Sequence, residues 1–164
     1  MSIVITGASL AVLAIVQAVV FPAISTTAIL PDFTLVIILI WSAVRGTQEG
    51  LVWAFAIGLL LDTLALDPLG ANALALLPAV LLGGMNAQRF FHSGLIVPVL
   101  AAVAATLFHT VLLLLIRSSG GGASLELAAV GRLILYQGLL NVILVPPVYL
   151  VASMAQRPPA MRHA

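Results

Sequence analysis

Apolar residues fill this chain in long blocks, and proline, glycine and charged residues collect at the breaks between them. Most blocks approach the ~20 residues that a helix needs to cross a membrane. Six spans are predicted, over residues 3–21, 32–44, 47–66, 71–88, 94–116 and 127–154. The breaks have local reasons. Pro22 stops the first block, and Pro31 suits the first turn of the second, where its missing N–H would be unsatisfied anyway. Asp32 then sits at the positive end of that helix dipole, as a cap. Arg45 ends the second span, and Asp67-Pro68-Leu69-Gly70 reads as a turn after the third. Pro78 interrupts the fourth block and Gly83-Gly84 loosen it. Arg89-Phe90-Phe91-His92 reads as a basic, aromatic interfacial connection. Residues 117–126, rich in serine and glycine, form the most loop-like stretch. Pro146-Pro147 is expected to bend or break the sixth helix late, and residues 155–164 read as a polar cytoplasmic tail.

The third block carries a second pattern. Gly46, Gly50, Ala54, Gly58 and Asp62 fall four residues apart, so on a helix they form one continuous ridge. Four of them are small, which lets a second backbone approach closely, and such a row favours an oblique crossing. The expected occupant of this groove is an internal neighbour; the other candidate is the single span of a partner. Asp62 lies ~22 Å along its helix, in the outer third of the membrane. Ala14 and Ala18 make a further small pair in the first span, where Gln17 is the strongly polar residue.

Composition turns these helices into a membrane protein. Of the 164 residues, 63% are hydrophobic and 7% are charged, against roughly 25% charged in a soluble domain. Lipid is therefore the solvent, and no soluble domain of appreciable size fits beside six spans. The first block lacks the basic region of a cleaved signal peptide and reads as a retained span. There is no cysteine, which excludes disulfides, thiolate catalysis and thiolate metal sites. A net charge of +1 gives no footing for nucleic-acid binding. All six basic residues are arginine. With both termini inside, Arg45, Arg89, Arg157 and Arg162 fall on the cytoplasmic side, and Arg117 and Arg132 toward the outer one, so N-in, C-in is the predicted orientation. In that orientation Asp32, Asp62, Asp67 and Glu126 cluster toward the outer side.

No catalytic constellation is visible, and neither an enzyme activity nor a metal, nucleotide or redox cofactor is expected. His109, flanked by Thr106 and Thr110, reads as a hydrogen-bonding residue within the bundle, with a proton carrier as the sharper alternative. Arg132, Tyr136, Gln137 and Asn141 share one face of the sixth span and are too polar for lipid; they read as bundle glue or a polar pocket. Arg132 either pairs with Asp62 or snorkels to the outer headgroups.

Four motifs, in order and at suitable spacing, carry a resemblance. They are Pro31-Asp32-Phe33, the pair Gly46 and Gly50, Gly58-Leu59-Leu60-Leu61-Asp62, and Gly70-x-x-Ala73-Leu74. In these the chain resembles MreD, the rod shape-determining membrane protein family, and the layout agrees along nearly its whole length. The resemblance implies a non-enzymatic scaffold subunit of the bacterial elongation machinery in the inner membrane. Its expected direct partner is MreC, with MreB, RodA and the class B penicillin-binding transpeptidase reached directly or through it. It also implies a six-helix bundle like the membrane subunit (S-component) of energy-coupling-factor vitamin transporters. That likeness supplies the rival function, a vitamin-binding transporter subunit with Ala14 and Ala18 as a docking pair. The outer loops here are short and poor in groups to grip a vitamin. A proton- or ion-coupled transporter using Asp62 and His109 is the third class.

Overall fold

The computed structural model describes residues 12, 15–20, 31–85, 94–119 and 127–156. Among them are a π-helical segment, Val16–Val20, and five α-helices. These are α1 (Phe33–Arg45), α2 (Thr47–Ala65), α3 (Ala71–Met85), α4 (Ile96–Ser119) and α5 (Leu127–Gln156). Stretches of α2, α4 and α5 are long and apolar enough to cross a membrane, namely Thr47–Ala65, Ile96–Ser118 and Val130–Ala152. The helices α1 and α3 are apolar but shorter. Most of the predicted first span lies outside the described residues, as do Ala14, Arg89-Phe90-Phe91-His92, Glu126 and the tail from residue 157.

The bundle is organised around α1, which touches all four other helices. Its Leu35, Val36, Ile38, Leu39 and Ile40 are buried, and they form one core with Ala54 and Ile57 of α2, Leu76, Ala79 and Val80 of α3, Ala102 and Ala105 of α4, and Val145 of α5. A helix apolar all round belongs inside. At ~1.5 Å per residue α1 is only ~20 Å long, too short to cross ~30 Å of hydrocarbon unaided. Its N-terminus instead starts inside the bundle. Asp32 donates its backbone N–H to Asn141, near the middle of the long apolar stretch of α5. The sequence placed Asp32 toward the outer surface; the structure puts it level with the centres of α4 and α5.

A single residue, Gly46, joins α1 to α2. Its φ of +95° suits glycine, its N–H closes on the carbonyl of Ser42, and an added Cβ would meet nothing within 4 Å. Gly46 is thus a backbone hinge, not part of a packing groove. The next two glycines of the ridge are packing residues. A Cβ on Gly50 would strike Ser42 of α1 and approach Val80 of α3. A Cβ on Gly58 would strike the backbone of Ala73 in α3. Ala54 between them is fully buried. The groove is filled from within, by α1 and α3.

Two expectations about glycine and proline change. Gly83 and Gly84 do not loosen α3. They bring it against the carbonyl of Leu39 in α1 and the side chain of Thr47 in α2, where any Cβ would collide. Pro78 lies within α3, and Pro146 and Pro147 within α5, which continues helical to Gln156. Inside a bundle, neighbouring groups can take up the carbonyls that proline frees.

Candidate functional site

The polar side chains that a membrane bundle can least afford to expose gather in two clusters. The first closes the turn between α2 and α3. Asp62, in the last turn of α2, is 1% exposed. Its Oδ2 accepts the Gly70 N–H at 2.7 Å, and its Oδ1 accepts both the backbone N–H and the Nδ2 of Asn72 at 2.8 Å. One carboxylate thereby satisfies donors at the start of α3, as an N-cap does, but from the preceding helix. Leu66 ends α2 in the left-handed region at φ +57°, and Gly70 follows at φ +91°. Asp67 extends the cluster. Its Oδ2 accepts Asn72 Nδ2 at 3.1 Å, and its two oxygens accept Arg117 Nε at 2.9 Å and a terminal guanidinium nitrogen at 2.7 Å. This forked pair ties the end of α4 to the turn. Arg132 is not the partner of Asp62: both carboxylate oxygens are occupied by Gly70 and Asn72, and Arg132 is exposed near the start of α5.

The second cluster surrounds the N-terminus of α1 and draws on four elements. Asp32 caps the helix, its Oδ1 accepting the Leu35 N–H at 3.0 Å. The same oxygen accepts Gln17 Nε2 at 2.8 Å from the π-helical segment. Gln17 Oε1 in turn accepts the Thr34 N–H at 2.8 Å and its hydroxyl at 2.9 Å. Asn141, with no exposed surface, accepts the Asp32 N–H at 2.7 Å and donates to Thr106 of α4 at 2.9 Å. Thr110 donates to Gln137 at 3.3 Å. Unpaired donors at a helix start are costly in lipid; here side chains from α5 and the π-helical segment take up two of them and Asp32 itself a third. His109 completes the cluster, with Nδ1 lying 3.4 Å from Asp32 Oδ2. That distance suits an ion pair, yet Nδ1 makes no hydrogen bond.

The predicted polar face of α5 therefore divides. Asn141 and Gln137 turn inward to the second cluster, whereas Tyr136 is 54% exposed and Arg132 is exposed beside it. Sequence reasoning passed over Thr34 and Asn72 as participants, and it did not join Asp32 to His109. The signal for Asn72 was its place two residues after Gly70, in the first turn of α3, where N–H groups need acceptors.

A helical bundle with two buried polar clusters and at least three helices fit to cross lipid defines a class, the integral membrane protein. Within that class the family model for the rod shape-determining protein MreD matches residues 2–155. The chain belongs to the MreD family, and its role lies in rod-shape determination. None of the curated proteins or solved structures compared with the chain matches it.

Proposed function

We propose that this chain is a non-enzymatic scaffold subunit of the bacterial elongation machinery, seated in the inner membrane and binding MreC directly. MreB, RodA and the class B penicillin-binding transpeptidase join it directly or through MreC. The observation that carries this reading is the family match over nearly the whole chain. The geometry supports it, since the polar groups of both clusters are spent largely on holding helices to one another. Six spans in an S-component-like bundle, with both termini cytoplasmic, complete the proposal. Purification of the tagged full-length protein from native membranes, with bound proteins and small molecules identified together, tests the function. MreC is the expected partner; a vitamin recovered with an ATPase module would replace the scaffold with a transporter subunit.

Orientation has a separate test. Single cysteines at Gln48 and Leu69, exposed near opposite ends of α2, can be introduced without a natural thiol in the way. Leu69→Cys should react with an impermeant maleimide in intact spheroplasts, and Gln48→Cys only after permeabilisation. The converse pattern would reverse the orientation, and labelling of both from one side would mean that α2 does not cross.

A further inference from the structure

We infer that Asp32 and His109 together form a buried proton-binding site at mid-depth in the bundle. The two side chains come from different helices and are each 5% exposed. Along α4, His109 lies ~20 Å from Ile96 and ~15 Å from Ser119 at the usual rise, so neither end of the helix brings solvent to it. The two oxygens of Asp32 are used differently. Oδ1 already accepts from Leu35 and Gln17, while Oδ2 faces an imidazole nitrogen that has no other partner. A buried polar nitrogen left unpaired is costly, and native structures rarely leave one without a reason.

A proton supplies that reason. With the imidazole neutral and the carboxylate ionised, the pair carries one buried negative charge. A proton taken from hydronium binds to the pair, forms an N–H or O–H bond, and leaves it with no net charge. The same proton gives the 3.4 Å contact a charge-assisted hydrogen bond, which such groups form at ~2.7–2.9 Å. Closing the gap draws α4 toward the start of α1, to which Gln17 and Asn141 are already bonded. Among the described residues, no further titratable side chain is hydrogen-bonded or ion-paired to either group. α5 and the π-helical segment contribute Gln137, Asn141 and Gln17, and α3, packed on α4, has no titratable side chain. The next charge on α4 is Arg117, two turns on and paired with Asp67.

The test uses full-length protein in lipid nanodiscs with ¹⁵N-labelled histidine. Comparison with His109→Gln assigns the ring signals of His109 among the three histidines. The His109 nitrogens should change protonation state in one step as the pH is lowered. Asp32→Asn should displace that midpoint by about 1–3 pH units while leaving His92 and His163 unmoved. Because Asp32 also caps α1, a parallel titration of the wild-type protein with ¹³C-labelled aspartate covers a variant that does not fold. There the Asp32 carboxyl signal should move with the same midpoint as His109. A His109 ring that keeps one protonation state throughout, a midpoint indifferent to Asp32→Asn, or an Asp32 signal blind to the His109 step would each overturn the site.

Discussion

Asp62→Ala should unfold this protein more readily than any other removal of a single carboxylate. The substitution leaves the Gly70 N–H, the Asn72 N–H and one Asn72 Nδ2 hydrogen bond without their acceptor. Buried donors stripped of a partner cost ~1–3 kcal/mol each. Partial relaxation of the turn should hold the total near ~3–5 kcal/mol, at the top of the range for point changes. Asp62→Asn keeps one acceptor oxygen but turns an NH2 group toward other donors, so it should fall between wild type and alanine. Asp67→Asn provides the contrast. Its ion pair uses an arginine side chain 49% exposed, and exposed pairs contribute ~1 kcal/mol or less. Adding Arg132→Gln to Asp62→Ala should change stability additively, within ~0.5 kcal/mol, because the two side chains do not share a contact. Thermal melting in detergent measures all four, with Arg132→Gln alone completing the cycle. Equal melting of Asp62→Ala and Asp67→Asn would refute the bracing role of Asp62.

The all-α class and the helix ends were legible because the local signals are strong. Asp32 as the cap of α1 and Asp67-Pro68-Leu69-Gly70 after α2 follow from capping and φ preference, which need no tertiary information, although Pro31 lies before the cap and not in the first turn. Which helix lies at the centre was not legible. In water a buried helix stands out against amphipathic neighbours; in lipid the outward faces are apolar too. Leu51, Val52 and Phe55 on the exposed side of α2 look no different in sequence from Leu35, Val36 and Ile38 in the core. The small-residue ridge therefore drew attention to α2, although α2 lies against the central helix and is not that helix itself.

Site residues divide along the same line. Asp32, Asp62, His109 and Asn141 could be singled out because a polar side chain in a long apolar block must find a partner. Who that partner is depends on depth, and depth was misjudged where a helix begins inside the bundle. Counting α1 as a complete span placed Asp32 at the outer surface and away from His109. Arg132 and Asp62 were candidates for pairing because both lie toward the same end, yet the backbone N–H groups of Gly70 and Asn72 lay closer in sequence and took the carboxylate. Gly46 shows the limit of pattern alone. It keeps the four-residue spacing of the ridge, but its positive φ assigns it to the hinge.

Along that ridge the glycines should rank by what stands opposite them, and Gly58 should tolerate least. A Cβ at Gly58 meets the Cα and backbone N of Ala73, atoms that move only if α3 moves. At Gly50 the nearest obstacle is the Ser42 side chain. That hydroxyl can rotate away from its bond to the Ile38 carbonyl, although Ser42 Cβ and Val80 still crowd the site. At Gly46 there is open space, and alanine suffers only from a backbone at φ +95° and ψ +164° that is essentially confined to glycine, by ~1–3 kcal/mol. Overpacking typically costs ~1–3 kcal/mol, and Gly58→Ala should reach the upper part of that range because backbone opposes it. Gly58→Leu should exceed it. Lipid offers no compensating gain from apolar burial, so once the close approach of α2 and α3 is lost, the Asp62 hydrogen bonds at their turn must hold the pair largely without packing. The Gly58→Leu protein should accumulate poorly in membranes and melt early in detergent, with Gly50→Ala intermediate. Its stability should fall whether or not MreC is present, which separates an internal groove from a partner's docking site. A Gly58→Leu protein with wild-type abundance and melting that has lost only its bound MreC would hand the groove to the partner.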